Sequence, residues 1–96
     1  MASKIVIDKD ALGWDNEHAA ELKSYTEVLS VSKHPSLLQS DSDEAIARYC
    51  AQNDCDLITA DKEFYMYYFD VGITKVSIKR LGERGGKYVY LISIVE

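Results

Sequence analysis

Short apolar runs that alternate with longer helix-like segments are the feature of this sequence that most restricts its fold. "KIVID" and "CDLITA" are short and rich in β-branched residues, as buried strands are. "YTEVLSV" is a third run of this kind. The segments between them, "WDNEHAAELKSY" and "DSDEAIARYCAQND", carry apolar residues at helical spacing. Strands that alternate with helices predict a mostly parallel sheet with helices on its faces.

The C-terminal third of the chain departs from this alternation. "KEFYMYYFDVG" is strongly aromatic, and we interpret it as a helical turn or short helix that covers the sheet edge. "ITKVSIKRL" and "KYVYLISIVE" predict two further strands, and the linker "GERGG" suits a hairpin because glycine tolerates positive φ. Right-handed crossovers place the first strand between the second and the third, with the hairpin beyond the third and its final strand antiparallel.

Length and composition indicate one ordinary globular domain, which spans residues 1–96. No run approaches the roughly 20 apolar residues that cross a bilayer, and the N-terminal apolar run is too short for a signal peptide. We therefore expect a cytoplasmic protein with no membrane partner. Cys50 and Cys55 lack metal-ligand spacing, so we expect reduced thiols. The net charge of −5 argues against tight, non-specific nucleic-acid binding.

Carboxylates from three predicted elements converge on one rim of the predicted sheet. Asp8 ends the first strand and Asp61 follows the third, and neighbouring parallel strands leave their carboxyl ends together. The middle helix begins at the same rim with Asp41, Asp43 and Glu44. Like charges this close repel, and a hard divalent cation such as Mg²⁺ or Mn²⁺ removes that repulsion. The rim is therefore a candidate metal site.

Each of these carboxylates also has a simpler interpretation. Asp8 suits a turn at the end of a strand, and Asp61 and Glu63 suit a solvated turn. Asp43 and Glu44 suit the first turn of a helix, where carboxylates cap the chain. The convergence of three separate segments carries more weight than any single residue does.

The residues "KIVIDKD" and "SDEAIARYCAQNDCDLITADKEF" together resemble the short PIN-like proteins of the PIN nuclease superfamily. The shared pattern has an Asp at the end of the first strand, an S-D-E start to a middle helix, and T-x-D-x-x-F at the end of the next strand. It runs in order from Lys4 to Phe64. The resemblance implies a small three-layer α/β fold with a mostly parallel central sheet, helices on both faces and a C-terminal hairpin.

The resemblance also implies a metal-dependent ribonuclease-type site. Asp8, Asp43 and Asp61 match the acidic metal-binding positions, with Mg²⁺ or Mn²⁺ as the cofactor. Glu44 and Glu63 are candidates for a fourth catalytic carboxylate. Many relatives are toxins of toxin–antitoxin pairs, so the implied partners are RNA as substrate and an antitoxin protein.

Polar residues around this acidic set complete the implied site. Thr59 matches the polar residue before the last Asp of the family pattern. Five basic residues either position a nucleic-acid backbone or form a solvated charged face. They are Lys62, Lys79, Arg80, Arg84 and Lys87.

Two other functions stay open from the sequence. The first is a catalytically inactive PIN-like module that works by association, with a homodimer as its simplest form. The tyrosines in "FYMYYF" and "KYVYLISIVE" and an open sheet edge motivate it, although the same tyrosines also suit the core. The second is a phosphate-receiver-like domain, which also clusters acids at a strand rim.

Overall fold

Five strands form a single mixed sheet in a computed structural model that describes residues 3–31 and 43–95. In chain order the strands are β1 (Lys4–Ile7), β2 (Glu27–Ser30), β3 (Cys55–Thr59), β4 (Val76–Arg84) and β5 (Lys87–Ile94). Their order across the sheet is β2-β1-β3-β5-β4. β1 is parallel to both β2 and β3, whereas β5 is antiparallel to both β3 and β4.

The predicted three-layer PIN-like fold with a mostly parallel sheet is wrong. The parallel pairings join strands of only four or five residues, whereas the hairpin strands have nine and eight residues. More residues are therefore paired between antiparallel strands than between parallel strands. The α/β class agrees with the sequence prediction, as do the position of β1 between β2 and β3 and the C-terminal hairpin.

The helix predicted after β1 is broken, which is one reason why the helical layers are incomplete. It consists of α1 (Trp14–Glu17) and a 3-10 turn over Ala19–Leu22. His18 lies between them with a non-helical backbone, and its ring stacks on Trp14 at a centroid distance of 3.6 Å.

Across residues 3–31 and 43–95, no helix is long and apolar enough to span a membrane.

The two sides of the sheet bury separate apolar clusters. α2 (Asp43–Asn53) and α3 (Tyr65–Asp70) cover one side, which we call the helical face. Its buried residues are Val6, Leu29, Val31, Ile46, Ala47, Cys50, Cys55, Leu57, Phe64, Tyr68 and Ile92. The buried residues of the other side are Ile5, Ile7, Ala11, Trp14, Leu22, Ile58 and Val89. Alternate residues of β1 and β3 therefore point to opposite sides, as in a strand that is buried on both faces.

The aromatic segment after β3 supplies the largest buried side chains of the helical face. A 3-10 turn over Lys62–Phe64 leads directly into α3, so the predicted short helix is confirmed. Its predicted position is wrong, because it covers one face of the sheet and not the sheet edge. Phe64 and Tyr68 are fully buried, whereas Phe69 is 48% exposed. The tyrosines of the chain are thus divided between core and surface, with Tyr68 in the core and Tyr88 outside it.

A two-residue turn joins the hairpin strands more tightly than the predicted "GERGG" linker. β4 continues to Arg84, which registers with Lys87, so Gly85 and Gly86 alone form the turn. Both have positive φ, at 60° and 80°. A two-residue turn of this kind requires positive φ at both positions, and glycine adopts it without steric cost.

We expect Phe64→Ala to lower the free energy of unfolding by about 3–5 kcal/mol, because it removes a fully buried ring and leaves a cavity. Phe69→Ala is the matched control, since its ring is half exposed and contacts Tyr65 at the surface. Urea unfolding of the three proteins measures the difference. Equal losses in the two variants would contradict the assignment of Phe64 to the core.

Candidate site at an acidic rim of the sheet

The hydroxyl of Thr59 lies at the rim where β1 and β3 end. Thr59 is fully buried, and its Oγ1 donates to Oδ2 of Asp8 at 3.0 Å. The two carboxylate oxygens of Asp10 lie 3.3 and 3.4 Å from the same Oγ1. The amide of Asp61 donates to this Oγ1 at 3.1 Å. One hydroxyl therefore links the residues that follow β1 with the residues that follow β3.

Asp8 is a buried carboxylate at the end of a central strand. The residue is only 2% exposed to solvent. Its amide donates to the carbonyl of Ile58 at 2.9 Å, which continues the parallel ladder. Its Oδ1 accepts from the Lys9 amide at 2.8 Å and so caps the 3-10 turn over Lys9–Ala11. Asp8 is thus a turn former through Oδ1, while Oδ2 contacts Thr59.

The electrostatic environment of Asp8 opposes its ionisation. Burial, first of all, and then the neighbouring Asp10 carboxylate raise the pKa of Asp8 from 3.8 to about 6. Hydrogen bonds from the Lys9 amide and the Thr59 hydroxyl oppose this rise, and the Asp43 carboxylate adds to it. The start of α2 is therefore close enough to Asp8 for the two charges to interact.

Tyr67 on α3 connects the start of α2 with the turn after β3. The charge of the Asp43 carboxylate is the largest of the causes that raise the pKa of Tyr67. Asp61 also raises it. Asp43 and Asp61 therefore both lie near one phenol. We call Asp8, Asp10, Asp43 and Asp61 the acidic rim.

The other predicted acids are placed differently. Oε1 of Glu44 accepts from Arg48 at 3.0 Å in an ion pair along the surface of α2. Glu63 is exposed, and its amide donates to Oδ1 of Asp61 at 3.0 Å. Asp41 lies outside the described residues. A catalytic role for Glu44 or Glu63 stays a prediction.

Two members of this network were not predicted from the sequence. Asp10 is held by the Ala60 amide, which donates to its Oδ1 at 3.0 Å. The Asp8-x-Asp10 spacing was a usable signal, because a turn directly after a strand returns the second side chain to the strand end. Tyr67 gave no such signal, since its approach to Asp43 depends on how α3 packs beside α2.

The acidic rim offers only oxygen ligands, which suit a hard divalent cation. Within residues 3–31 and 43–95, no three His, Cys, Asp or Glu side chains are grouped so that they could hold a metal ion as they stand. Mg²⁺ is nevertheless often bound by one or two carboxylates, with water and phosphate oxygens completing its shell. A cation bound at this rim would therefore need water or oxygen ligands from outside the protein to complete its shell.

Comparison of this chain with protein-family models, with curated proteins and with solved structures finds no match. The resemblance to PIN nucleases therefore stays a hypothesis from sequence motifs. What the rim does chemically follows from its own donors, charges and burial.

We expect Asp8→Asn to change how stability depends on pH. Between about pH 4 and 6 the folded protein keeps a proton on Asp8 that the unfolded chain has released, so the free energy of unfolding falls as pH rises through this window. The difference between 3.8 and about 6 corresponds to about 3 kcal/mol, lost fully above pH 6. Urea unfolding at a series of pH values should show that the wild type loses stability relative to Asp8→Asn as the pH rises from 4 to 6.

The matched control is Asp54→Asn. Asp54 is exposed before β3, at the opposite end of that strand from the rim, and its φ of 52° is one that Asn tolerates. The free energy of unfolding of Asp54→Asn should depend on pH as that of the wild type does. Parallel profiles for Asp8→Asn and the wild type would contradict the environment described for Asp8.

Proposed function

We propose that the protein binds Mg²⁺ or Mn²⁺ at the acidic rim and hydrolyses phosphodiester bonds in RNA. The observation that carries this proposal is the buried Asp8 carboxylate, which lies with the exposed Asp10 carboxylate on one buried hydroxyl. In the part of the chain that is described, neither forms an ion pair with Lys or Arg. Buried charges in proteins are normally paired or coordinate metals, so a cation is the expected partner of the buried Asp8 carboxylate.

The roles of the residues follow from their exposure and their hydrogen bonds. A divalent cation supplies an activated water nucleophile and a counter-charge for the leaving oxygen. One or two of Asp8, Asp43 and Asp61 would bind it directly, with water and substrate phosphate oxygens completing its shell, while Thr59 orients the Asp8 carboxylate. Asp8 is buried, whereas Asp43 and Asp61 are partly exposed, so a substrate would meet the rim from their side.

The resemblance to PIN nucleases supports RNA as the substrate and a toxin–antitoxin pair as the biological setting. An antitoxin would have to cover the acidic rim or insert a cationic side chain into it, because the rim is anionic. Such a contact would combine charge complementarity with direct competition for the cation.

We expect the wild type to cleave single-stranded or structured RNA in the presence of Mn²⁺, and Asp8→Asn and Asp61→Asn to lose roughly tenfold or more of that activity. Asn keeps an acceptor for the capping amides of Lys9 and Glu63, so the fold should be preserved while the charge is lost. Gel-based cleavage of labelled RNA, with EDTA as the metal-free arm, measures this.

Asp54→Asn again provides the control, because it removes one carboxylate of the same kind far from the rim. Its cleavage rate should equal that of the wild type. Equal rates in wild type, Asp8→Asn and Asp61→Asn would refute the assignment, and so would cleavage that persists in EDTA.

A second candidate function, association without catalysis, is favoured by the open edge of β4. β4 pairs with β5 along one side, and among the described strands none pairs with its other side. An unpaired strand edge presents free backbone donors and acceptors to another chain. Ile78, Tyr88 and Val95 are exposed apolar side chains of the hairpin region. A second copy paired along β4 would extend the sheet.

If this edge forms a homodimer, light scattering should give twice the chain mass of 10.8 kDa at high concentration. Ile78→Lys should return the protein to the monomer, because it replaces an exposed apolar side chain of the edge strand with a charge. A single-chain mass at every concentration would exclude the dimer. A dimer that Ile78→Lys leaves intact would place the contact elsewhere.

A further inference from the structure

We infer that the helical-face side of the hairpin binds a single-stranded oligonucleotide by stacking its bases and leads it towards the acidic rim. The surface consists of Lys62, Arg80, Tyr88 and Tyr90, which we call the stacking platform. The inference rests on the proposed function, because it states how an RNA substrate reaches the rim. The binding itself requires no metal and can be tested separately.

A groove gives the platform its shape. It has a volume of about 410 Å³ and is lined by Lys62, Ile78, Arg80 and Tyr90. Arg80 registers with Tyr90 across the two hairpin strands, so their side chains stand next to each other. A groove of this size falls within the range of pockets that bind small ligands. It therefore has room for part of a nucleotide between a cation and a ring.

Two tyrosines provide aromatic surfaces along the same strand. Tyr88 and Tyr90 are alternate residues of β5, so their side chains lie on one side of the sheet, about 6.6 Å apart along the strand. Tyr88 is 50% exposed, and Cζ of Arg80 lies 4.8 Å from its ring centroid. Unpaired bases stack on tyrosine rings and on arginine planes in many single-strand binding proteins. The Arg80–Tyr88 pair offers both a tyrosine ring and an arginine plane.

The platform lies on the same side of the sheet as Thr59, which contacts two carboxylates of the acidic rim. Tyr90 registers with Thr59 on β3, and residues directly opposite each other share one side of a sheet. Thr59 contacts Asp8 and Asp10 through its hydroxyl. Lys62 directly follows Asp61. A strand stacked on Tyr90 would therefore lie one β-strand away from the carboxylates.

Two cations, Lys62 and Arg80, lie where they would meet a polyanion in the groove, while the Glu83 carboxylate lies opposite Tyr88 outside it. Of the basic residues singled out from the sequence, Lys62 and Arg80 line the groove beside an aromatic ring. Arg84 pairs with Glu17 at 2.7 Å, and Lys79 lies on the other side of the sheet near Trp14. A duplex hides the faces of its bases, so a surface of rings and cations is complementary to a single strand.

The test is fluorescence anisotropy with labelled oligo-uridine RNA and oligo-thymidine DNA of about 12 nucleotides, in EDTA and at low salt. We expect both oligonucleotides to bind the wild type. Tyr88→Ala should weaken binding roughly 5- to 150-fold, which corresponds to the loss of one stacked base. Arg80→Ala should weaken binding and reduce the slope of log affinity against log salt by about 0.7.

Matched controls separate the platform from general effects. Phe69→Ala removes an exposed ring from α3, and Arg48→Ala removes an exposed cation from α2, so both should bind as the wild type does. Tyr88→Trp keeps a stacking surface and should retain binding. Circular dichroism and thermal unfolding of each variant confirm that the fold is intact.

The outcomes distinguish this inference from the proposed function. Failure of the wild type to bind either oligonucleotide overturns the inference, as does equal binding by wild type, Tyr88→Ala and Arg80→Ala. Binding in EDTA that depends on Tyr88 and Arg80 supports it, even if no RNA is cleaved in Mn²⁺ and the proposed function fails. Equal affinity for RNA and DNA indicates stacking and phosphate contacts alone, whereas tighter RNA binding adds a contact to the 2′-hydroxyl.

Discussion

The hydrogen bond from Thr59 to Asp8 closes the end of the parallel strand pair on which the sheet is built. β1 and β3 are central strands, and the two carboxylates next to their ends, Asp8 and Asp10, repel each other. The Thr59 hydroxyl and the amides of Lys9 and Ala60 hold both carboxylates in place despite that repulsion. The bonds that close the sheet are therefore the same bonds that define the site, so the fold and its candidate chemistry depend on one small network.

The sequence predicted the order of the strands better than it predicted where individual elements end. Side-chain period and chain order were sufficient to predict β1 beside β3, with Asp8 and Asp61 at the same rim. The balance of parallel and antiparallel pairing was missed, because β4 extends to Arg84 through a segment that reads as a linker. The break at His18 was also missed, since it accompanies the stacking of that ring on Trp14.

The helical face carries two neighbouring regions of opposite character. The acidic rim holds carboxylates beside buried backbone, whereas the stacking platform holds rings and cations on the open part of the hairpin. A net charge of −5 keeps polyanions away from most of the surface. A single strand would therefore be attracted mainly where Lys62 and Arg80 lie, which suits positioning better than tight binding. Affinity at such a surface is expected to be modest and sensitive to salt.

The register of the sheet also implies an order of events when the chain folds. Arg84 and Lys87 meet across a two-residue turn, so the hairpin closes with little loss of chain entropy. Ile7 and Ile58 pair only after a loop of about fifty residues has closed, which is a slow, non-local step. The hairpin can thus form early and offer β5 as a template for β3. We therefore expect the carboxylates to come together late in folding, when buried apolar surface can hold them against their repulsion.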